Sequence, residues 1–349
     1  MIPSATPANA PNTDGGIDAP GEEFQDGLSR RDAPAGLPPG DVRRLSALNP
    51  WRSTAALLWT FGGIAAVMAA PLVYWHPLTI AAAVVAMAGF QQSLFVLAHD
   101  AAHYRLFGPR WLNDLAGQFC GLLAGIPMSA YRVLHRLHHN HLYGKIDPDL
   151  PLVGGYPRGR AYLLKKLGKD LLGLTAYRTY AYFLGAPPVN TETNARNRPL
   201  DDTSPRLRQA ALRNRRAVIA FHAAAPIAAF AAGWGWEYLL LWVLPLVTVL
   251  QALLRLRAVL EHGAPRDTTT PLLAARTNLA PAWLRWWLFP HHVNYHIEHH
   301  LYPSIPHYRL PEAHRLMTAR GALRGAEVAR LPEALAKIFA EPGTSSPAH

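Results

Sequence analysis

The chain has 349 residues, half of them hydrophobic, a formal net charge of +11 and a single cysteine. The hydrophobic residues are gathered in blocks, which points to a membrane protein rather than to two soluble domains. Cys120 alone excludes an internal disulfide, a cysteine-rich zinc ribbon and a cysteine-ligated iron–sulfur cluster within the chain.

Residues 1–50 are rich in Pro, Gly, Ala and Asp without periodicity and read as a disordered tail. Within them, residues 1–41 carry Asp14, Asp18, Glu22, Glu23, Asp26, Asp32 and Asp41 against Arg30 and Arg31, so the rest of the chain holds a balance of +16. No basic-then-apolar run opens the chain, so a cleaved signal peptide is not expected. A membrane domain is expected over residues 51–320, followed by a C-terminal helix and tail over 321–349.

Thr54–Tyr74 and Leu78–Ala98 are free of charge, long enough to span a bilayer, and joined by Trp75-His76-Pro77. Ala217–Trp236 and Tyr238–Leu254 repeat the arrangement around Glu237. The expectation is an all-α membrane protein with four transmembrane helices in two hairpins. Arg43, Arg44 and Arg52 precede the first run, Arg213, Arg215 and Arg216 the third, and Arg255 and Arg257 follow the fourth; neither short link has a basic residue. The positive-inside bias therefore assigns both termini and the long middle segment to the cytoplasm, with Tyr74, Trp75, Trp234, Trp236 and Tyr238 at the opposite interface. Leu115–Met128, short and interrupted by glycine, reads as an interfacial or re-entrant piece, and Leu163–Leu184 as a surface-lying helix.

Three histidine clusters fall on that same side. On a helix, positions i, i+3 and i+4 share a face, so His135, His138 and His139 can converge, as can His296, His299 and His300, while His99 and His103 form an i, i+4 pair. Two His-x-x-His-His repeats among 17 histidines make coincidence a poor explanation. Three imidazoles on one face also make a poor core patch, because each carries a donor and an acceptor. They read as ligands for iron, copper, zinc or nickel.

These boxes and their placement around two hydrophobic hairpins resemble the integral-membrane fatty acid desaturase and hydroxylase superfamily, over roughly residues 50 to 320. Asp147-Pro148-Asp149 after the second box and Leu301-Tyr302-Pro303-Ser304-Ile305-Pro306 after the third are similar to bacterial acyl-lipid desaturases. The resemblance implies a cytoplasmic helical cap holding two iron ions, with dioxygen as co-substrate and an inner membrane of bacterial type as the location. It implies nine ligands: the eight box histidines and His262, which follows Glu261 just past the fourth run. Asp100, Asp147, Asp149, His292 and Glu298 are candidates to orient those ligands, and Asn294, also placed behind the ligands, either holds a metal-bound water or caps the start of its helix. His141 reads as a surface residue and His222 as a hydrogen-bonded structural one. Gly89, Gln91 and Gln92 are placed either to line a substrate tunnel or, for the glycine, to allow close helix packing.

Such a site removes hydrogen from an unactivated C–H bond. The leading expectation is introduction of a double bond into a lipid-linked acyl chain. The alternative is a carotenoid hydroxylase or ketolase, which shares a His-x-x-His-His box followed by Leu-x-Pro, and the remote one a nonenzymatic metal-binding membrane protein. The chain lacks a cysteine cluster and a His-Pro-Gly-Gly heme segment, so a separate electron donor is expected, a ferredoxin or a cytochrome b5 type with its reductase. The bilayer is the other expected partner; nucleic acid is not.

Overall fold

The structure, a computed structural model, describes residues 36–184 and 205–342. Most of the tail expected over residues 1–50 lies outside the described residues, but its last part is built into the fold. Leu37 and, from helix α1 (Pro39–Leu45), Leu45 are buried with Ile305, Leu310, Ala313 and Met317. The apolar residues of this Pro- and Gly-rich run follow no clear period, which is why the segment reads as tail in the sequence.

Helices α2 (Pro50–Val73) and α3 (Pro77–Ala102) form an antiparallel hairpin across Tyr74–His76. Each begins with proline at its first position, where the missing N–H costs nothing. Asn49 caps α2 by accepting from the N–H groups of Trp51 and Arg52, and His76 Nδ1 accepts from Leu78. α2 exposes Trp51, Leu58, Trp59 and Leu72, whereas α3 is buried continuously from Met87 to Ala102. α3 is thus the central post of the molecule. A Cβ at Gly89 would lie 2.6 Å from the Trp287 ring, so this glycine serves close packing. Its neighbours Gln91 and Gln92 are fully buried and donate to the carbonyls of Trp242 and Leu288.

Helix α4 (Arg110–Ala124) lies along α3, with Trp111, Leu115 and Phe119 exposed on its outer face. It ends at Gly125, whose φ of +79° is the left-handed conformation that favours glycine. α5 (Met128–Asn140) follows, then the short α6 (Leu150–Val153). The surface-lying helix expected over 163–184 is two helices, α7 (Arg160–Leu171) and α8 (Ala176–Phe183), parted at Gly173, again with positive φ.

Among the described residues three helices are long and apolar enough to cross a membrane: Pro50–Val73, Pro77–Ala102 and Gly235–His262. The last comprises α10 (Gly235–Tyr238), a π-helical turn at Leu239–Val243, α11 (Leu244–Val247) and α12 (Val249–His262). The remaining expected run sits in α9 (Pro205–Ala231), whose first half carries Arg206, Arg208, Arg213, Arg215 and Arg216 and whose apolar part ends at Ala231. Those arginines shorten the uncharged stretch. α9 contacts α10 end to end and also α4 and α5, and His222 Nε2 donates to the Leu122 carbonyl at 2.9 Å.

The C-terminal part departs from a purely helical design. After α13 (Pro271–Ala274), strand β1 (Arg276–Leu279) pairs in parallel with β2 (Glu327–Arg330), in the register Arg276↔Glu327 to Leu279↔Arg330. Between them lie α14 (Ala282–Leu288), α15 (His296–Leu301) and α16 (Leu310–Ala319); α17 (Leu331–Phe339) closes the chain. The third histidine box therefore sits inside a loop whose two ends are hydrogen-bonded together.

Candidate metal centre

Each box occupies the kind of helix end its spacing anticipates. His99 is in the last turn of α3 and His103 is its C-cap; His135, His138 and His139 are on the last turns of α5; His296, His299 and His300 are on α15; His262 is the final residue of α12. The structure brings all nine together in two groups. One is His99, His103, His135, His139 and His299; the other is His138, His262, His296 and His300. The second and third boxes are each divided between the groups, because on one helical face successive ligands point to either side of the shared axis.

The tautomers follow from the hydrogen bonds. His262 Nδ1 lies 3.1 Å from the Ala274 carbonyl, which only accepts, so Nδ1 carries the proton and Nε2 a lone pair. His138 Nδ1 donates to Asp147 at 3.0 Å, which likewise leaves Nε2 unprotonated. Yet the two Nε2 atoms are 3.2 Å apart. Two facing lone pairs make no hydrogen bond; a cation between them resolves the contact. The same close approach recurs between His262 and His296 (2.8 Å), His296 and His300 (3.1 Å), His103 and His135 (2.8 Å), and His139 and His299 (3.1 Å). Two nitrogens bound to one ion at about 2.1 Å and at right angles lie about 3 Å apart. His99 adds a buried Nε2 without a partner, its Nδ1 facing Asp100. This donor set fits a pair of borderline cations such as iron.

Electrostatics agree. Burial, reinforced by the neighbouring imidazoles, pushes His103, His135, His139, His296, His299 and His300 well below the ordinary histidine value. They are neutral, as ligands must be. For His138 burial acts in the same direction but is outweighed by Asp149 and Asp147, and its value is raised.

The carboxylates beside the boxes sort by contact. Asp147 is almost fully buried and accepts from His138 and from the N–H groups of Tyr143 and Asp149. Asp149 is 3.5 Å from His138 Nδ1 and accepts from the Tyr182 hydroxyl at 2.8 Å. Asp100 bridges His99 and His307, whose Nδ1 is 2.7 Å away. Glu298 points away from the nine histidines and accepts from Thr277 and His314. Asn294 does not cap α15, where Tyr295 is the N-cap; its Nδ2 donates to the Asn278 carbonyl, tying the box to β1, and its Oδ1 is buried without a partner. His292 belongs to neither group and is half-buried beside Tyr295, with burial lowering it to about 4. His291 contacts Thr60 and the His307 ring instead.

Several supporting residues carry no such signal in the sequence. His307, His314 and Thr277 act through tertiary contacts with no fixed spacing to a box. Tyr143, whose hydroxyl donates to the His262 carbonyl, is another. Arg276 is 1% exposed and donates to the carbonyls of Leu260, Gly263 and Ala264 and to Glu327, holding both sides of His262. Glu261 is buried against His296 and Arg257; its position next to His262 was the available clue.

With this geometry in hand, the comparisons with known proteins are informative. The family model for fatty acid desaturases matches residues 73–331. An sn-1 acyl-lipid omega-3 desaturase (ferredoxin) of Nostoc sp. (strain 36) is 27% identical over 235 residues, covering 63% of this chain and 62% of that protein. The dihydrorhizobitoxine desaturase of Bradyrhizobium elkanii is 27% identical over 248 residues, covering 67% and 66%. A beta-carotene ketolase of Paracoccus sp. (strain N81106 / MBIC 01143) is 25% identical over 268 residues, covering 74% of this chain and 92% of the ketolase. The chain thus spans somewhat under two thirds of the length of the two desaturases and nearly the whole ketolase.

Proposed function

Since the chain belongs to the fatty acid desaturase family, within the membrane desaturase and hydroxylase superfamily, we propose that it introduces a double bond into a lipid-linked acyl chain at a di-iron centre. The observation that carries this reading is the convergence of unprotonated Nε2 atoms whose Nδ1 atoms are already engaged, as at His138 and His262. The ligands are His99, His103, His135, His139 and His299 for one ion and His138, His262, His296 and His300 for the other. When bound, the iron pair supplies activation of dioxygen and removal of hydrogen from two adjacent unactivated carbons.

The chain's own residues do the rest. Asp147 fixes the ring of His138, Asp100 that of His99, and the Ala274 carbonyl that of His262, so each lone pair is aimed before metal arrives. Seven of the nine rings are buried and His103 and His135 are half-buried, which keeps bulk water from the reacting carbon. In our reading both hairpins cross the membrane, giving four spans with both termini and the metal site cytoplasmic, and an apolar chain reaches the irons from the lipid side. Electrons come from a separate ferredoxin or cytochrome b5 type donor with its reductase, attracted by the positive balance of the folded body.

A second reading, carotenoid ketolation or hydroxylation, is favoured by the near-complete coverage of the beta-carotene ketolase. Expression in a host lacking related enzymes, with and without a carotenoid pathway, separates the two. Acyl species lighter by two hydrogens support desaturation; oxygenated carotenoids with unchanged acyl profiles replace it by the second reading.

A further inference from the structure

The two histidine groups are unequal, with five donors in one and four in the other. Beside the smaller group stands Glu261, 2% exposed, one residue before His262 on α12. Its Oε2 lies 3.8 Å from His296 Nε2 and 3.4 Å from Arg257 Nε. Its Oε1 is buried with no hydrogen-bond partner, and neither has Arg257 Nε one. A buried carboxylate oxygen without a partner is costly, and the Arg257 guanidinium faces only Oε2, which leaves Oε1 unmet. Asp100, Asp147 and Asp149, by contrast, spend their oxygens on histidine Nδ1 atoms, backbone N–H groups and a tyrosine.

Charge supports the same conclusion. Nine neutral imidazoles do nothing to offset two divalent ions in a low-dielectric interior, so an anionic donor at the centre lowers the cost of loading them. Pairs of donors on one ion at about 2.1 Å are roughly 3 to 4 Å apart, according to the angle between them; Glu261 meets that spacing with His296, at 3.8 Å, but stands just outside the set of four nitrogens that lie within 4.8 Å of one another, so its side chain has to swing inward on loading. Resting on the di-iron reading above, we propose that Glu261 is a tenth, oxygen donor, serving the ion held by His138, His262, His296 and His300. The two ions are then chemically distinct: one held by nitrogen alone, the other by four nitrogens and a carboxylate that Arg257 steadies.

The test uses the full chain purified in detergent and loaded with iron-57. Wild type is expected to hold two irons per chain and to give two Mössbauer doublets of equal area. In Glu261→Gln one doublet should shift while the other stays, and half of the iron should pass to a competing chelator at least about tenfold faster, since losing a donor costs no less than losing a group behind a donor. Glu261→Asp, which keeps the carboxylate on a shorter arm, should move the same doublet less. If Glu261→Gln does not accumulate, the Asp variant decides alone: a shift of one doublet supports the assignment and an unchanged spectrum overturns it. Unchanged doublets and release rates in both variants overturn it, as does equal loss from both sites, which marks a merely structural role. Wild type that binds no iron removes the di-iron reading itself, whereas two irons with an indifferent Glu261 remove only this assignment.

Discussion

At the scale of single residues, the site depends on which imidazole nitrogen is free, and that is decided by groups that never touch the metal. Asp147 is the clearest case, since its Oδ1 accepts the hydrogen bond from the Nδ1–H of His138. Asp147→Asn is expected to lower iron affinity roughly 10- to 100-fold with the chain still folded, read by chelator competition on purified protein. His138→Ala and His299→Ala, one from each group, should each lower the iron content below about two per chain and abolish product formation. An unaltered iron content in both would refute the ligand assignment.

The same histidines set a pH dependence. Six of them outside the candidate spans are held below the ordinary value of 6.5 in the folded chain, so the unfolded chain binds more protons in acid. Stability of the metal-free protein is therefore full above 6.5 and is lost as pH falls below it. His138, with a raised value, works in the opposite sense but is one against six. The metal-free protein should melt at a lower temperature at about pH 5.5 than at about pH 7.5, as scanned by thermal unfolding in detergent. Equal melting temperatures would contradict the neutral, buried assignment.

At the scale of elements, α1 shows how a helix of seven residues is held by what it covers. Leu45 is completely buried against the segment that follows the third box. Leu45→Ala is expected to cost about 2–5 kcal/mol, seen as a lower melting temperature with iron content unchanged. The helical elements were legible where charge and period agreed: the uncharged runs from Thr54 and Leu78 begin within α2 and α3, and the His-x-x-His-His spacing locates α5 and α15. The rest was not. Nothing in Arg276–Leu279 predicts a partner some fifty residues later at Glu327–Arg330, since a four-residue parallel pair has no local signature. Likewise His307 can be assigned to Asp100 only when the chain is folded, because the contact joins positions 207 residues apart.

For the whole molecule, the decisive quantity is which side of the bilayer each end occupies. If both hairpins cross, reporter fusions after Glu237 and at the C-terminus should report opposite sides. A cytoplasmic signal after Glu237 would mean that α9, with its arginine-rich first half, does not span. Turnover should also depend on an added reductant and donor protein, and full activity without either would rule out a separate electron source.

The parallel pairing of β1 with β2 also has a consequence in time. A ribosome delivers His99 first and His300 last of the nine. Even then, β1 lacks its partner until Glu327–Arg330 emerges, and Arg276, which grips the turn around His262, lacks Glu327. On the di-iron reading, iron is therefore expected to be held firmly only once Glu327–Arg330 has been made. A chain halted before β2 is expected to hold iron more weakly than the full chain, β2 acting as the latch that closes assembly.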